Sequence, residues 1–232
     1  MQNICLIGAS GRMGKAIQSL LPSSVQTHCF TRLVNNKDAL VDAVQKSDVA
    51  IDFSNPENFE LAIEACLIGK TPFFCGTTGL GQQHFELLKT ASAKIPVLYA
   101  SNTSIGIAIL KKAVVLVAKA LSKTNFINDT DITISETHHN LKKDSPSGTA
   151  LSLGNAITQE LRDLSEINYS SLRGGNVVGE HTVHFFHKDE VIRLSHECLN
   201  RKVFASGAIK AAEWLFSKPA GLYCLEDMLE LG

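Results

Sequence analysis

The chain has 232 residues, with 22 Lys and Arg against 23 Asp and Glu and a formal net charge of -1. At 44% hydrophobic and 19% charged it is too apolar for a disordered chain and too charged for a membrane bundle. Balanced charge offers no global field for nucleic acid, so any anion site must be local.

The first hundred residues alternate strand and helix patterns. Residues 3–7 are a short apolar run ending at Gly8, which reads as a buried strand and not as a signal peptide. Residues 13–21 carry Met13, Ala16, Ile17 and Leu20 at helical spacing, and residues 25–30 form a weaker strand. Residues 37–45 predict a helix and 48–53 a strand, after which Asn55-Pro56 turns the chain into a helix over 57–68. Strand 72–75, helix 82–93 and strand 96–100 follow. Such alternation predicts a parallel sheet built from βαβ units, with every strand-to-helix loop on one edge.

The pattern changes after Ile105. An apolar helix over 105–121 is interrupted by Lys111, Lys112 and Lys119, which argues against a bilayer span. Strand 131–136, helix 149–164 and two consecutive strands over 177–186 and 191–195 suggest an α+β module with antiparallel pairing. Ala208, Ile209, Ala211, Ala212 and Leu215 then share a helix face, and a short helix is expected over 225–231. The fold class is α/β: an N-terminal Rossmann-type parallel-sheet domain, residues 1–104 plus 206–232, carrying an inserted α+β domain over 105–205. The six cysteines (5, 29, 66, 75, 198 and 224) form no C-x-x-C pair and read as reduced thiols of a cytoplasmic protein.

Two clusters carry chemistry. Gly8-Ala9-Ser10-Gly11-Arg12-Met13-Gly14 follows a strand and opens a helix, the context in which glycines let the backbone approach a pyrophosphate. Its spacing is G-x-x-G-x-x-G, a variant of the dinucleotide fingerprint, and the alternative is a tight turn without a ligand. Ser54-Asn55-Pro56, Gly76-Thr77-Thr78-Gly79 and Ala100-Ser101-Asn102-Thr103 should lie on the same sheet edge, although such residues also make ordinary turns. The second strand ends Cys29-Phe30-Thr31-Arg32, with no acid before Asp38 to hold a ribose 2′-hydroxyl. Arg32, together with Arg12, can instead pair with a 2′-phosphate, so NADPH should serve at least as well as NADH. The alternative is a solvated surface arginine.

The second cluster runs from Glu136 to Thr149 and includes His138, His139, Lys142, Lys143 and Ser147-Gly148-Thr149. Histidine can deliver a proton near neutral pH, lysine can face a carboxylate, and a helix N-terminus can hold an anion. The set suits a small dicarboxylate, with a solvated loop and an ordinary cap as the alternative. No metal is expected, because period-two alternation puts His184 on the strand face opposite His181 and His187. Trp214 fits a helix packing face.

Together these segments, with Ile51-Asp52-Phe53-Ser54, Gly179-Glu180-His181-Thr182 and residues 204–210, resemble the 4-hydroxy-tetrahydrodipicolinate reductase (dihydrodipicolinate reductase) family over nearly the whole chain. The resemblance implies a Rossmann-type domain and a substrate and tetramerisation domain. It implies NAD(P)H-dependent reduction of a cyclic imine-type dicarboxylate in lysine and diaminopimelate synthesis, by a homotetramer. It assigns His138 as proton donor and Lys142 as the group stabilising negative charge on the substrate. His139, Gly148 and Thr149 fall on substrate-carboxylate contacts. Gly8, Ala9, Ser10, Gly11, Arg12, Met13, Gly76, Thr77, Thr78, Ala100, Ser101, Asn102 and Thr103 fall on cofactor contacts. The chain departs from the family in lacking an acid at the end of the second strand and in a short region before Asp52. The competing readings are another nicotinamide-dependent reductase of a small carboxylate and a Rossmann-type nucleotide sensor.

Overall fold

A computed structural model of the chain describes residues 1–31, 36–161 and 166–230. In chain order the elements begin β1 (Asn3–Ile7), α1 (Arg12–Leu20), β2 (Gln26–Phe30), α2 (Lys37–Gln45), β3 (Val49–Asp52), α3 (Pro56–Gly69), β4 (Phe73–Cys75), α4 (Gln82–Ser92) and β5 (Pro96–Tyr99). They continue with α5 (Ile105–Ser122), a 3-10 turn (Asn125–Asp129), β6 (Asp131–His138), α6 (Gly148–Glu160), β7 (Ile167–Arg173), β8 (Gly179–Phe186) and β9 (Val191–Cys198). The chain closes with α7 (Lys202–Leu215), β10 (Gly221–Tyr223) and a 3-10 turn (Leu225–Leu229).

Two compact units result, one of Met1–Ile105 with Lys202–Gly232 and one of Gly106–Arg201. The first contains a six-stranded sheet in the order β10-β5-β4-β3-β1-β2, with every pairing parallel. Its central strands β1, β3 and β4 are covered on both faces, which explains their largely apolar sequences. Phe59 of α3 and Phe73 of β4 are fully buried together in its core, each worth about 1.5–3 kcal/mol of burial. Caps set where the helices start. The Asn36 side chain accepts from the Ala39 N–H at 3.0 Å, and Asn55 accepts from Asn58 ahead of α3, with Pro56 in its first turn. The C-terminal α7 packs on α1 of the same unit, as an inserted second module requires.

The second unit holds a mixed sheet, β7-β6-β8-β9. β8 runs antiparallel to both β6 and β9, whereas β6 and β7 are parallel and joined through α6. β6 alternates strictly: Ile132, Ile134, Glu136 and His138 point to the buried face. The first two of these join Val183, Phe185, Leu153 and Ile157 in the core of the unit.

Several expectations need correction. β7 and β10 were not expected. β7 (INYSSLR) is largely polar at its outward positions, and β10 has three residues bounded by turn formers. The expected antiparallel pairing of the two consecutive strands holds for β8 and β9, and the unexpected β7 adds a parallel pairing with β6. β9 runs on to Cys198, past the expected end at 195. The terminal helix over 225–231 is a 3-10 turn. α6 ends at Glu160, and the expected residues 162–164 of that helix lie outside the described residues, as does Arg32.

Candidate active site

The chain passes from β1 to β2 on one side and to β3 on the other, so the sheet of the first unit has its switch point beyond β1 and β3. Open parallel sheets bind ligands at that place. Gly8 sits there with φ +83°, and a Cβ on it would overlap the Phe53 carbonyl. A Cβ on Gly14 would overlap Gly8 and Ala9, so that glycine brings α1 down onto the loop. The Gly11 N–H donates to the Gly8 carbonyl at 3.0 Å, and Gly11 caps α1 without a side chain. This cradle of close backbone opening a helix fits the diphosphate of a dinucleotide, with Gly8, Ala9, Ser10, Gly11, Arg12 and Met13 around it.

The neighbouring loops are braced internally. Thr77 donates its hydroxyl proton to Asp52 Oδ2 at 2.8 Å, and its oxygen accepts the Ser54 N–H at 3.1 Å. Burial pushes the Asp52 carboxyl up to about 6, although the bonds from Ser54 and Thr77 pull the other way. The Gly76 N–H donates to the Asp52 carbonyl, and the Ala100 N–H to the Cys75 carbonyl. Thr103 donates to the Phe204 carbonyl at 2.7 Å, and the Ser104 N–H donates to Asn102 Oδ1. The Thr77 and Thr103 hydroxyls thus donate within the protein and brace these loops. Gly76, Thr78 and Ser101 lie on the same loops.

The second cluster assembles in the other unit. His138 ends β6 and is buried, and its Nδ1 lies directly on Glu136 Oε2. Neither atom has any other hydrogen-bond partner. The other carboxylate oxygen of Glu136 accepts from Ser171 Oγ at 2.7 Å, Arg173 Nη2 at 2.9 Å and the Ser147 N–H at 3.3 Å. Burial pushes the Glu136 carboxyl up, but these bonds and the charges of His138 and Arg173 outweigh it and hold it below its ordinary value. His138 is lowered by burial, with Glu136 acting in the opposite direction and Lys142 and Arg173 reinforcing the loss.

Lys142 donates to Asp144 Oδ2 at 2.8 Å, and the Gly148 N–H also supports that carboxylate, which is held below its ordinary value chiefly by Lys142. Ser147 caps α6, its hydroxyl oxygen accepting the Ala150 N–H, and the same oxygen meets His181 Nε2 at 3.0 Å. His181 is driven down to about 4, first by burial and then by the neighbouring His138. His139 is half-buried in the turn after β6, and Gly148 and Thr149 open α6. His138, His139, Lys142, Gly148 and Thr149 therefore gather around the end of β6 and the start of α6.

Sequence reasoning missed Arg173 and Ser171, because β7 was not foreseen, and it gave no role to Glu136, Asp144 or His181. The alternation of β6 was the available signal for Glu136, since it puts that acid on the same face as His138. Among the described residues, one group has ligand atoms close enough for a metal, within 4.8 Å: Glu136, His138 and His181. Its carboxylate is already paired with the Arg173 guanidinium and faces His138 Nδ1, so its chemistry suits proton handling better than a dication. His184 faces the opposite side of β8 and bonds Ser135 Oγ at 2.9 Å.

Two family models match, "Dihydrodipicolinate reductase, N-terminus" over residues 2–103 and "Dihydrodipicolinate reductase, C-terminus" over residues 106–229. The chain belongs to the dihydrodipicolinate reductase family. A 4-hydroxy-tetrahydrodipicolinate reductase of Rickettsia rickettsii (strain Sheila Smith) is 42% identical, with all of both chains covered. A protein of the same name from Campylobacter lari is 39% identical over 99% of each. The solved structure of a dipicolinate-bound dihydrodipicolinate reductase from Paenisporosarcina sp. TG-14 has a TM-score of 0.76 at 22% identity, covering 98% of this chain and 99% of that one. A C. glutamicum DAP dehydrogenase in complex with DAP shares the fold at a TM-score of 0.58 and 10% identity, over 100% and 96% of the two chains. Membership of this reductase family makes the chain an oxidoreductase that uses a nicotinamide cofactor. No helix among the described residues is long and apolar enough to cross a membrane.

Proposed function

We propose that the chain reduces 4-hydroxy-tetrahydrodipicolinate to tetrahydrodipicolinate with NADPH or NADH, in the cytoplasm, as a step of lysine and diaminopimelate synthesis. The observation that carries the reading is the cluster of His138, Lys142 and the head of α6 in a chain that matches this family along its length. The first unit holds the dinucleotide through Gly8–Met13, Gly76–Thr78 and Ala100–Thr103, and the second binds the dicarboxylate.

The cofactor supplies the hydride when bound, and the reaction also takes up a proton and releases water. His139 and the N–H groups of Gly148 and Thr149 orient the carboxylates, drawing on the helix dipole of α6. Lys142 exchanges Asp144 for the substrate and stabilises the negative charge that develops on it. His138 delivers the proton from Nε2, the nitrogen not held by Glu136. A dianionic substrate beside His138 favours its charged form, offsetting the effect of burial.

Arg32 and Arg12 support acceptance of NADPH, through pairing with a 2′-phosphate. A homotetramer is supported by the outward face of the four-stranded sheet, where Leu172 and Phe186 are exposed. Oxidation of each reduced cofactor by purified protein, with substrate generated by a coupled synthase, tests the activity. Turnover that needs both substrates supports it, and none from folded protein with an active synthase overturns it. Light scattering tests the tetramer.

A further inference from the structure

Glu136 is the one carboxylate buried in the second unit among the described residues. A buried charge is costly unless paired and hydrogen-bonded, and Glu136 is both. Three donors from Ser171, Arg173 and Ser147 converge on Oε1. They fix the plane of the carboxylate and leave Oε2 for His138 Nδ1. Two of them come from β7, whose parallel register sets Ser171 opposite Glu136 and Arg173 opposite His138.

An ionised carboxylate can only accept, so the imidazole nitrogen facing it carries the hydrogen. The neutral ring is therefore the Nδ1–H tautomer, with its lone pair on Nε2. The nitrogen facing away exchanges protons with a reactant. Gly179 makes room for that edge: a Cβ there would stand 3.0 Å from Nε2. The charged and titratable groups around the ring are Glu136 on β6, Lys142 with its partner Asp144 in the following loop, Arg173 on β7 and His181 on β8, itself next to His196 on β9. Of these, Glu136 is the group whose charge and hydrogen bond raise the proton affinity of His138, against burial, Lys142 and Arg173.

We propose that Glu136 is a positioning residue for proton transfer, held by Arg173 and Ser171, which fixes the tautomer and aim of His138 without touching the substrate. This rests on the reading of His138 as proton donor. In the step, the Nε2–H bond breaks as the proton passes to the reduced ring. The Nδ1–H stays on Glu136, and water reprotonates Nε2.

The test compares wild type, Glu136→Gln and Ser171→Ala as full-length proteins saturated with NADPH. Its readouts are kcat against pH, KM and imidazole 15N shifts, with the His138 signals assigned by their loss in His138→Gln. For Glu136→Gln the expected result is a fall in kcat of about 10- to 100-fold, with the alkaline limb, on which His138 loses its proton, displaced downward by about one pH unit and KM changed far less. The 15N shifts should show loss of the fixed Nδ1–H tautomer. Ser171→Ala should move the same readouts in the same direction by a few-fold. A lower kcat with an unmoved limb and an unchanged tautomer would mean that Glu136 only supports the fold, and would overturn the proposal. If Glu136→Gln does not fold, an unmoved limb in Ser171→Ala overturns it equally. Lack of turnover in wild type would remove the functional reading instead, and the 15N shifts of the resting protein would still decide whether Glu136 sets His138.

Discussion

Asp144 Oδ2 stands 2.8 Å from Lys142 Nζ, and the N–H of Gly148 at the head of α6 supports the same carboxylate. The chain thus presents its own anion to two of the groups proposed to receive the substrate. The pair is partly exposed, with Asp144 more than half so, and such contacts are worth about 0–1 kcal/mol. Asp144→Asn is therefore expected to lower KM for the dicarboxylate by up to about 5-fold, because less must be displaced. Steady-state kinetics at low ionic strength checks this, and a higher KM would make Asp144 an organiser of Lys142 instead of a competitor.

Lys142 and His138 separate by their pH behaviour. Lys142→Ala removes an electrostatic stabiliser and is expected to lower kcat by more than about 100-fold, keeping the alkaline limb of the profile but moving it upward, because Lys142 no longer depresses His138. His138→Gln is expected to lose about 10²–10⁴-fold and the limb with it. Fluorescence titration with NADPH should give wild-type affinity for both, since Gly8 and Gly14 shape the cofactor cradle in the other unit. Normal turnover by Lys142→Ala would remove its assigned role.

Gly148 separates a structural glycine from one kept clear for a ligand. A Cβ there would meet no atom within 4 Å, and the residue opens α6 with an ordinary negative φ. Gly148→Ala should therefore leave the melting temperature unchanged or slightly raised, alanine being the better helix former. KM for the dicarboxylate should rise at least several-fold, because the methyl enters the space assigned to a carboxylate. A KM equal to wild type would move the substrate away from the head of α6.

The nucleotide half was easy to read because its information is local. The central parallel strands β1, β3, β4 and β5 are short, largely apolar runs followed by turn formers, and Gly8 and Gly14 mark close backbone approaches that no side chain could share. The candidate site was legible only where it is continuous in sequence, from His138 to Thr149. Arg173 reaches Glu136 across 37 positions, and His181 reaches Ser147 across 34. Those pairings depend on the register of β6 with β7 and β8. The outward residues of β7 are polar enough for the strand to pass as loop. Asp52 illustrates the same limit: its motif was visible, but its bond to Thr77 appears only once β3 and β4 lie side by side.

His181 gives the fold a pH dependence with a definite sign. Burial lowers it from an ordinary 6.5 to about 4, so the folded protein binds fewer protons than the unfolded chain between those values. Its contribution is whole above pH 6.5 and is lost as pH falls toward 4, by about 3 kcal/mol in all. His138, His184 and His196 are also lowered, first by burial, and act in the same direction. Asp52 opposes them. It is raised from 3.8 to about 6, so its contribution grows as pH falls through that window. Urea unfolding at pH 7 and pH 4.5 should show a net loss of stability on acidification in wild type. In His181→Asn the loss should be smaller, with His138, His184 and His196 still opposing Asp52. An equal loss in both proteins would show that His181 is not the group whose protonation destabilises the fold.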